Sequence, residues 1–182
     1  KRAICITGCT ASGKSRIAAK LANIAPSVII NADSIQVYEC MRIISSRPTK
    51  EDFGELENKL YGHIECGSDY SVGKWLEDAR IAINDALREQ KIPIIVGGTG
   101  LYFSALINGL AFIPSISKET KKKSDYFRKN SPEIFLHDLK TKDSVTFENI
   151  DKHNFARIQR AWEVLIDTGY GIAKEFEEEN KE

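Results

Sequence analysis

The chain has 182 residues, enough for one domain with a small appendage and a substantial core. Its 26 basic and 26 acidic residues cancel, so no overall field draws it to nucleic acid, and any such contact must be a local patch. No apolar stretch approaches a membrane span and no signal peptide is visible, so the expectation is a cytoplasmic protein without membrane contact. Cys5, Cys9, Cys40 and Cys66 show neither C-x-x-C nor metal-ligand spacing and read as isolated thiols of a reducing compartment. The start at Lys1 without Met, almost on top of the first strand, reads as an excerpt of a longer chain.

Residues 3–6 are a short apolar run, the pattern of a buried strand. Gly8, Cys9, Thr10, Ala11, Ser12, Gly13, Lys14 and Ser15 follow and fit the G-x-x-x-x-G-K-[ST] phosphate loop. Ile17, Ala18, Leu21 and Ala22 then recur at helical spacing. In this order the loop's N–H groups form a nest for an anion, and the helix aims its positive end at the same place. Lys14 adds a mobile charge, and the Ser15 hydroxyl can hold a phosphate-bound Mg²⁺. The motif predicts a phosphoryl site without saying whether the phosphates belong to a nucleotide.

Residues 27–32 form a second apolar strand that ends in Asp33, Ser34, Ile35 and Gln36. Strand C-termini of a parallel sheet gather at one edge, so Asp33 belongs beside the phosphate loop. There it is either a general base or metal-shell carboxylate, or the cap of a following turn. Residues 49–52 can open a short helix, and Ser71 is the N-cap of a helix over 72–90 whose apolar face includes Trp75. His63 reads as a partly exposed loop residue. Residues 92–96 are a third strand, ending in Gly97, Gly98 and Thr99 where nucleotide-hydrolysing phosphate-loop proteins usually carry a Mg²⁺-binding Asp. The glycines predict close approach of a ligand or of another backbone. A helix over 101–110 follows, with Gly109 near its end.

From Pro114 the chain turns polar, and the lysines of 115–130, Lys121 among them, are either a solvated helical face or a patch for a phosphate backbone. Helices are expected over 131–140, 143–150 and 154–166. In the last, Phe155, Ile158, Ala161, Trp162 and Leu165 make one face, Arg157 and Arg160 share a neighbouring face, and Gly169 stops the helix. The acidic end, 175–182, is expected to fray.

Four stretches together resemble the tRNA dimethylallyltransferase family: the phosphate loop, Asn31 to Tyr38, Val96 to Tyr102, and Arg157 to Val164. The likeness runs in register from about Ile4 to Phe176. It implies an α/β fold, a phosphate-loop NTPase-like parallel sheet flanked by helices with a small helical insertion: a core over 1–114, an insertion over 115–150 that contacts tRNA, and a return to the core over 151–182. The implied reaction moves a dimethylallyl group from dimethylallyl diphosphate to N6 of adenosine 37 in tRNA with adenosine 36 beside it, in a monomer, with Mg²⁺. Gly8 to Ser15 would hold the diphosphate, with Ser15 on the metal. Asp33 would be the base, and Thr10 would sit near the bridging oxygen of the leaving group. Asp33, Ser34, Ile35, Gln36, Thr99, Lys121, Ala156, Arg157, Ile158, Gln159 and Arg160 would face the tRNA. Departures are Ala156 at a position that is basic in the family, and Arg47-Pro48 where Ala-Lys-Pro is common. Family members also run on for about another domain's length. The alternatives are transfer to free adenine nucleotides, a small-molecule or nucleotide kinase of the same loop class, and a non-catalytic RNA-binding module.

Overall fold

A computed structural model gives the fold, and it describes residues 2–110 and 116–172. These divide into two compact units, Lys1–Leu110 and Ala111–Glu182.

The first unit is a four-stranded parallel sheet. Its strands are β1 (Ile4–Thr7), β2 (Ser27–Asn31), β3 (Asn58–Lys59) and β4 (Ile92–Gly97), in the order β1-β4-β2-β3. Ile4 to Thr7 pair with Ile94 to Gly97, and Ser27 to Asn31 pair with Ile92 to Val96. Helices α1 (Lys14–Ala22), α2 (Lys50–Phe53), α3 (Val72–Arg88) and α4 (Gly100–Asn108) complete it, with one 3-10 turn at Glu39–Met41.

The central strands are apolar in their middles because both faces are covered. Val28, Ile30 and Ile95 pack on α3 and α4, through Trp75, Ala79, Tyr102 and Phe103. Ile29, Ile94 and Val96 face the other way, onto Ala18 and Ala22 of α1 and Phe53 of α2. Each of these strand residues is almost fully buried, and each contributes roughly 1.5–3 kcal/mol. The expected caps form: Ser71 accepts from the Lys74 N–H, and Gly109 ends α4 with a positive φ of 81°.

Two expectations are corrected. β1 is not a buried strand: Ile4, Cys5 and Thr7 are exposed. It lies at one end of the sheet, and β4 is its partner among the described residues. Nor are all the cysteines isolated. Cys40 and Cys66 form a disulfide, with Cα atoms 6.0 Å apart, while Cys5 and Cys9 are free. A separation of 26 residues carries no pairing signal; the turn of the chain through 41–60 brings the two together.

The second unit is helical: α5 (Lys118–Asn130), α6 (Glu133–Lys142), α7 (Ser144–Asn149) and α8 (Phe155–Thr168). Phe135 and Leu139 of α6 meet Ile158, Ala161, Trp162 and Leu165 of α8 in one core. Phe127 and Phe135 meet the Trp162 ring edge to face, and Trp162 Nε1 donates to Asp138 at 2.9 Å. α8 packs with α5 and α6, its apolar stripe complementing theirs. Asn154 caps α8 and Gly169 ends it in the left-handed conformation. The acidic stretch 175–182 lies outside the described residues.

Candidate active site

The phosphate loop joins β1 to α1. Ala11 and Gly13 have positive φ, 62° and 84°, which turns the peptide N–H groups into a nest at the helix start. Gly13 takes that angle without strain and is the N-cap of α1. Lys14 Nζ donates to the Cys9 carbonyl and so spans the loop.

Beyond β2 a second loop is built on Asn31, which is fully buried. Its side-chain nitrogen donates to the Asp33 carbonyl (3.1 Å) and the Leu60 carbonyl (3.0 Å), and its Oδ1 accepts from the Asp33 N–H (3.1 Å). Trp75 Nε1 donates to the Asn31 carbonyl at 2.9 Å. This network fixes the backbone of Asp33. The carboxylate is fixed too: Oδ1 accepts from the N–H groups of Ile35 (2.9 Å) and Gln36 (3.3 Å). Capping therefore occupies one oxygen and leaves the other for chemistry, so the two readings of Asp33 are compatible.

Thr99, at the end of β4, ties in the same loop. Its hydroxyl oxygen accepts from the Ser34 N–H at 2.9 Å and lies 3.2 Å from the Ser34 hydroxyl. Backbone explains the first of the paired glycines: a Cβ on Gly97 would collide with the Ala32 carbonyl. A Cβ on Gly98 would sit 3.4 Å from the Gly8 carbonyl and 3.6 Å from Asp33 Oδ2. The Gly98 position thus lies between the phosphate loop and the carboxylate.

One cavity of about 550 Å³ joins these parts. Residues 10–16 line it together with Asp33 and Gln36, and Ser45, Ser46, Pro48, Asp52, Phe53 and Tyr61 complete its wall. Gln36 Nε2 donates to the Ser45 carbonyl at 2.9 Å. Arg47 donates to the carbonyls of Tyr38 (2.7 Å) and Glu39 (3.1 Å), and its guanidinium fills the space where a side chain on Gly62 would be. The Tyr61 ring lies 5.4 Å from that of Phe53; burial, reinforced by the Asp33 carboxylate, pushes its phenol well above the ordinary range. Burial, with Tyr38 and Asp33 adding, raises Tyr102 to about 12. Both phenols stay neutral beside the carboxylate.

Of the residues read from sequence, this cavity gathers Asp33, Gln36 and Thr10 to Ser15, with Ser34 and Thr99 bonded at its edge. Ile35 is exposed beside them. Gly8 and Cys9 belong to the loop but not to the cavity lining. Lys121 and residues 156–160 lie in the second unit. There Ala156, Arg157 and Arg160 line a cavity of about 710 Å³ with Ile150, Ala161 and Ile172. Ile158 is a core residue, and buried Gln159 donates to Ser124 (2.6 Å) and Glu163 (3.2 Å). These two side chains serve packing inside the unit. Sequence reasoning missed Asn31, Arg47, Phe53 and Tyr61 as site residues. Only Asn31 carried a signal, as a polar residue closing an apolar strand.

Fold and loop define a phosphate-loop α/β protein with a carboxylate at the sheet's ligand edge. Residues 36–182 match the family described as IPP transferase, and residues 1–62 match the isopentenyl transferase family. The chain belongs to the IPP transferase family. The tRNA dimethylallyltransferase of Cereibacter sphaeroides (strain ATCC 17025) is 44% identical over 173 residues, covering 94% of this chain and 57% of that protein. That of Ruegeria sp. (strain TM1040) is 44% identical over 171 residues, covering 94% and 56%. The chain thus spans little more than half the length of these curated relatives. A eukaryotic dimethylallyltransferase, solved acting on tRNA, superposes with a TM-score of 0.85 at 28% identity, covering 98% of this chain and 44% of that one. The tRNA isopentenylpyrophosphate transferase of Bacillus halodurans gives a TM-score of 0.59 at 26% identity, over 92% and 56%.

Proposed function

We propose that the protein transfers the dimethylallyl group of dimethylallyl diphosphate to N6 of adenosine 37 in tRNA, releasing diphosphate, as a cytoplasmic monomer. The observation that carries this reading is the shared cavity, lined both by an anion nest and by an aspartate with one oxygen held and one left over. Family membership and the names of the relatives support the same reaction.

The diphosphate lies against the N–H groups of residues 10–15 and the Lys14 ammonium, with Thr10 near the bridging oxygen. N6 attacks the allylic carbon as its bond to that oxygen breaks. The exocyclic amine is a weak nucleophile, and its proton passes to Asp33 Oδ2 as the C–N bond forms. The loop's donors stabilise the charge that develops on the leaving diphosphate. Adenosine must leave its stack to reach this edge, and Ser34, Ile35, Gln36 and Thr99 form the surface it meets. Lys121, Ala156, Arg157 and Arg160 are assigned to the RNA, while Ile158 and Gln159 hold their segment in place by packing inside the unit.

The lining also suits Mg²⁺. Thr10, Ser12 and Ser15 offer hydroxyl oxygens, and no cluster of three His, Cys, Asp or Glu side chains able to hold a metal occurs among the described residues. That donor set fits an ion that keeps waters and leans on substrate phosphates, with Ser15 as the protein ligand. When bound, the ion supplies further positive charge at the leaving oxygens.

The test is incubation with labelled dimethylallyl diphosphate, Mg²⁺ and unmodified tRNA. Label should enter the tRNA, and Asp33→Ala should abolish it. No label in tRNA, with γ-phosphate transfer from ATP to a small molecule instead, would replace this reading by a kinase. Label in free adenine nucleotides would move the acceptor from RNA to nucleotide. RNA binding without diphosphate release would leave a binding module.

A further inference from the structure

We infer that Cys40 and Cys66 form a reversible oxidation site that fastens the outer wall of the cavity. The segment between them supplies Ser45, Ser46, Pro48, Asp52 and Phe53 to that wall. It has little regular structure of its own: one 3-10 turn, a four-residue helix and a two-residue strand. Its far end is held to the Asp33 loop by backbone bonds from the Gly62 N–H to the Gln36 carbonyl (2.9 Å) and from the Ile64 N–H to the Val37 carbonyl (3.0 Å), and side-chain contacts hold the rest. Gln36 binds the Ser45 carbonyl, Arg47 binds the carbonyls of Tyr38 and Glu39, and Tyr38 bridges Ile64. The cysteines stand where those contacts end. Cys40 follows the Tyr38 bridge by two residues and Cys66 follows Ile64 by two, so the bridge sets them side by side.

Their Cα separation of 6.0 Å lies in the range a disulfide spans, and the Cys40 N–H meets Cys66 Sγ at 3.2 Å. Both residues are exposed, so a small thiol or disulfide can reach them. Where disulfides occur in reducing compartments they are usually redox-sensing or catalytic. Exchange with oxidised glutathione balances without another reactant. One cysteine thiolate attacks a glutathione sulfur and expels a glutathione thiolate. The second cysteine thiolate attacks the mixed disulfide and expels the other. The ring so closed ties both ends of the wall segment, and opening it removes that tie and loosens residues 41–48, while Phe53 stays in the core and β3 in the sheet.

The existence of the site is independent of the transfer reaction; only its consequence for catalysis rests on the proposed function. The test treats the full chain with oxidised glutathione or dithiothreitol, alkylates it, and maps peptides without reduction. Oxidation should give a Cys40–Cys66 linked peptide with Cys5 and Cys9 alkylated, and dithiothreitol should remove the link. Trypsin cleavage after exposed Arg42 should be at least about three-fold slower in the oxidised chain, because cleavage follows local opening. A Cys40→Ser, Cys66→Ser double variant should be cleaved at the reduced rate in both buffers. Absence of the linked peptide, a link that dithiothreitol cannot break, or equal cleavage rates would each overturn the inference. If these results hold and neither redox state labels tRNA, the proposed function fails and the oxidation site stands.

Discussion

Asp33 and Asn31 divide one task between a charge and its support. Asp33→Asn keeps an oxygen that can accept from the Ile35 and Gln36 N–H groups but removes the carboxylate proposed as the base. Transfer should fall about 10²- to 10⁴-fold while stability changes by less than about 1 kcal/mol. Labelling rates and urea unfolding check the pair of outcomes, and a variant that unfolds readily would mean that the carboxylate is structural. Asn31→Ala should behave in the opposite way. It leaves the Leu60 carbonyl and the backbone of Asp33 unpartnered in a buried place, at a cost of about 2–3 kcal/mol. With the phosphate loop untouched, kcat should drop while the KM for the diphosphate donor stays within about two-fold. A raised donor KM with unchanged kcat would contradict a positioning role. The placement of Asp33 beside the phosphate loop was legible because strand C-termini of a parallel sheet gather at one edge. The role of Asn31 was not, because its partners Leu60 and Trp75 are 29 and 44 residues away.

Among the elements, the start of α5 depends on a single carboxylate of α8. Asp167 accepts from the Ser117 N–H (2.9 Å) and from the hydroxyls of Ser117 and Thr120 (both 2.6 Å). The Ser117 and Thr120 hydroxyls, then the Ser117 backbone, hold its pKa below the ordinary carboxylate value. A depressed pKa stabilises the fold above the unfolded value of about 3.9 and loses that effect as pH falls through the folded value. The stability difference between the wild-type chain and Asp167→Asn should therefore be constant from about pH 7 to 5 and close below about pH 4. Denaturation at a series of pH values reads it, and a gap that persists at low pH would show that the charge is irrelevant. Helix starts and stops such as Ser71 and Gly169 were readable in the sequence because a cap acts within four residues. The Ser117–Asp167 tie was not, because it joins two helices 50 residues apart.

At the level of the whole molecule, each unit has its own core. Phe135 is fully buried between α6 and α8, and Phe135→Ala should cost about 3–5 kcal/mol. Amide exchange should accelerate in α6 and α8 while β2 and β4 keep their protection. Equal acceleration in both would mean that the two cores unfold together. Neighbouring residues carry the local grammar of the chain: a strand, a phosphate loop and a helix in order, an acid after the second strand, glycines after the last strand, and the apolar stripe of α8. Each is written in neighbouring residues, where backbone angles, caps and periodicity act. The tertiary structure alone decided the strand order β1-β4-β2-β3, the exposure of β1, and the grouping of α8 with α5 and α6. It also decided the Arg47 clamp and the meeting of Cys40 with Cys66. Those contacts depend on loop closure between distant residues, and periodicity along the chain carries no record of which distant surface an element will meet.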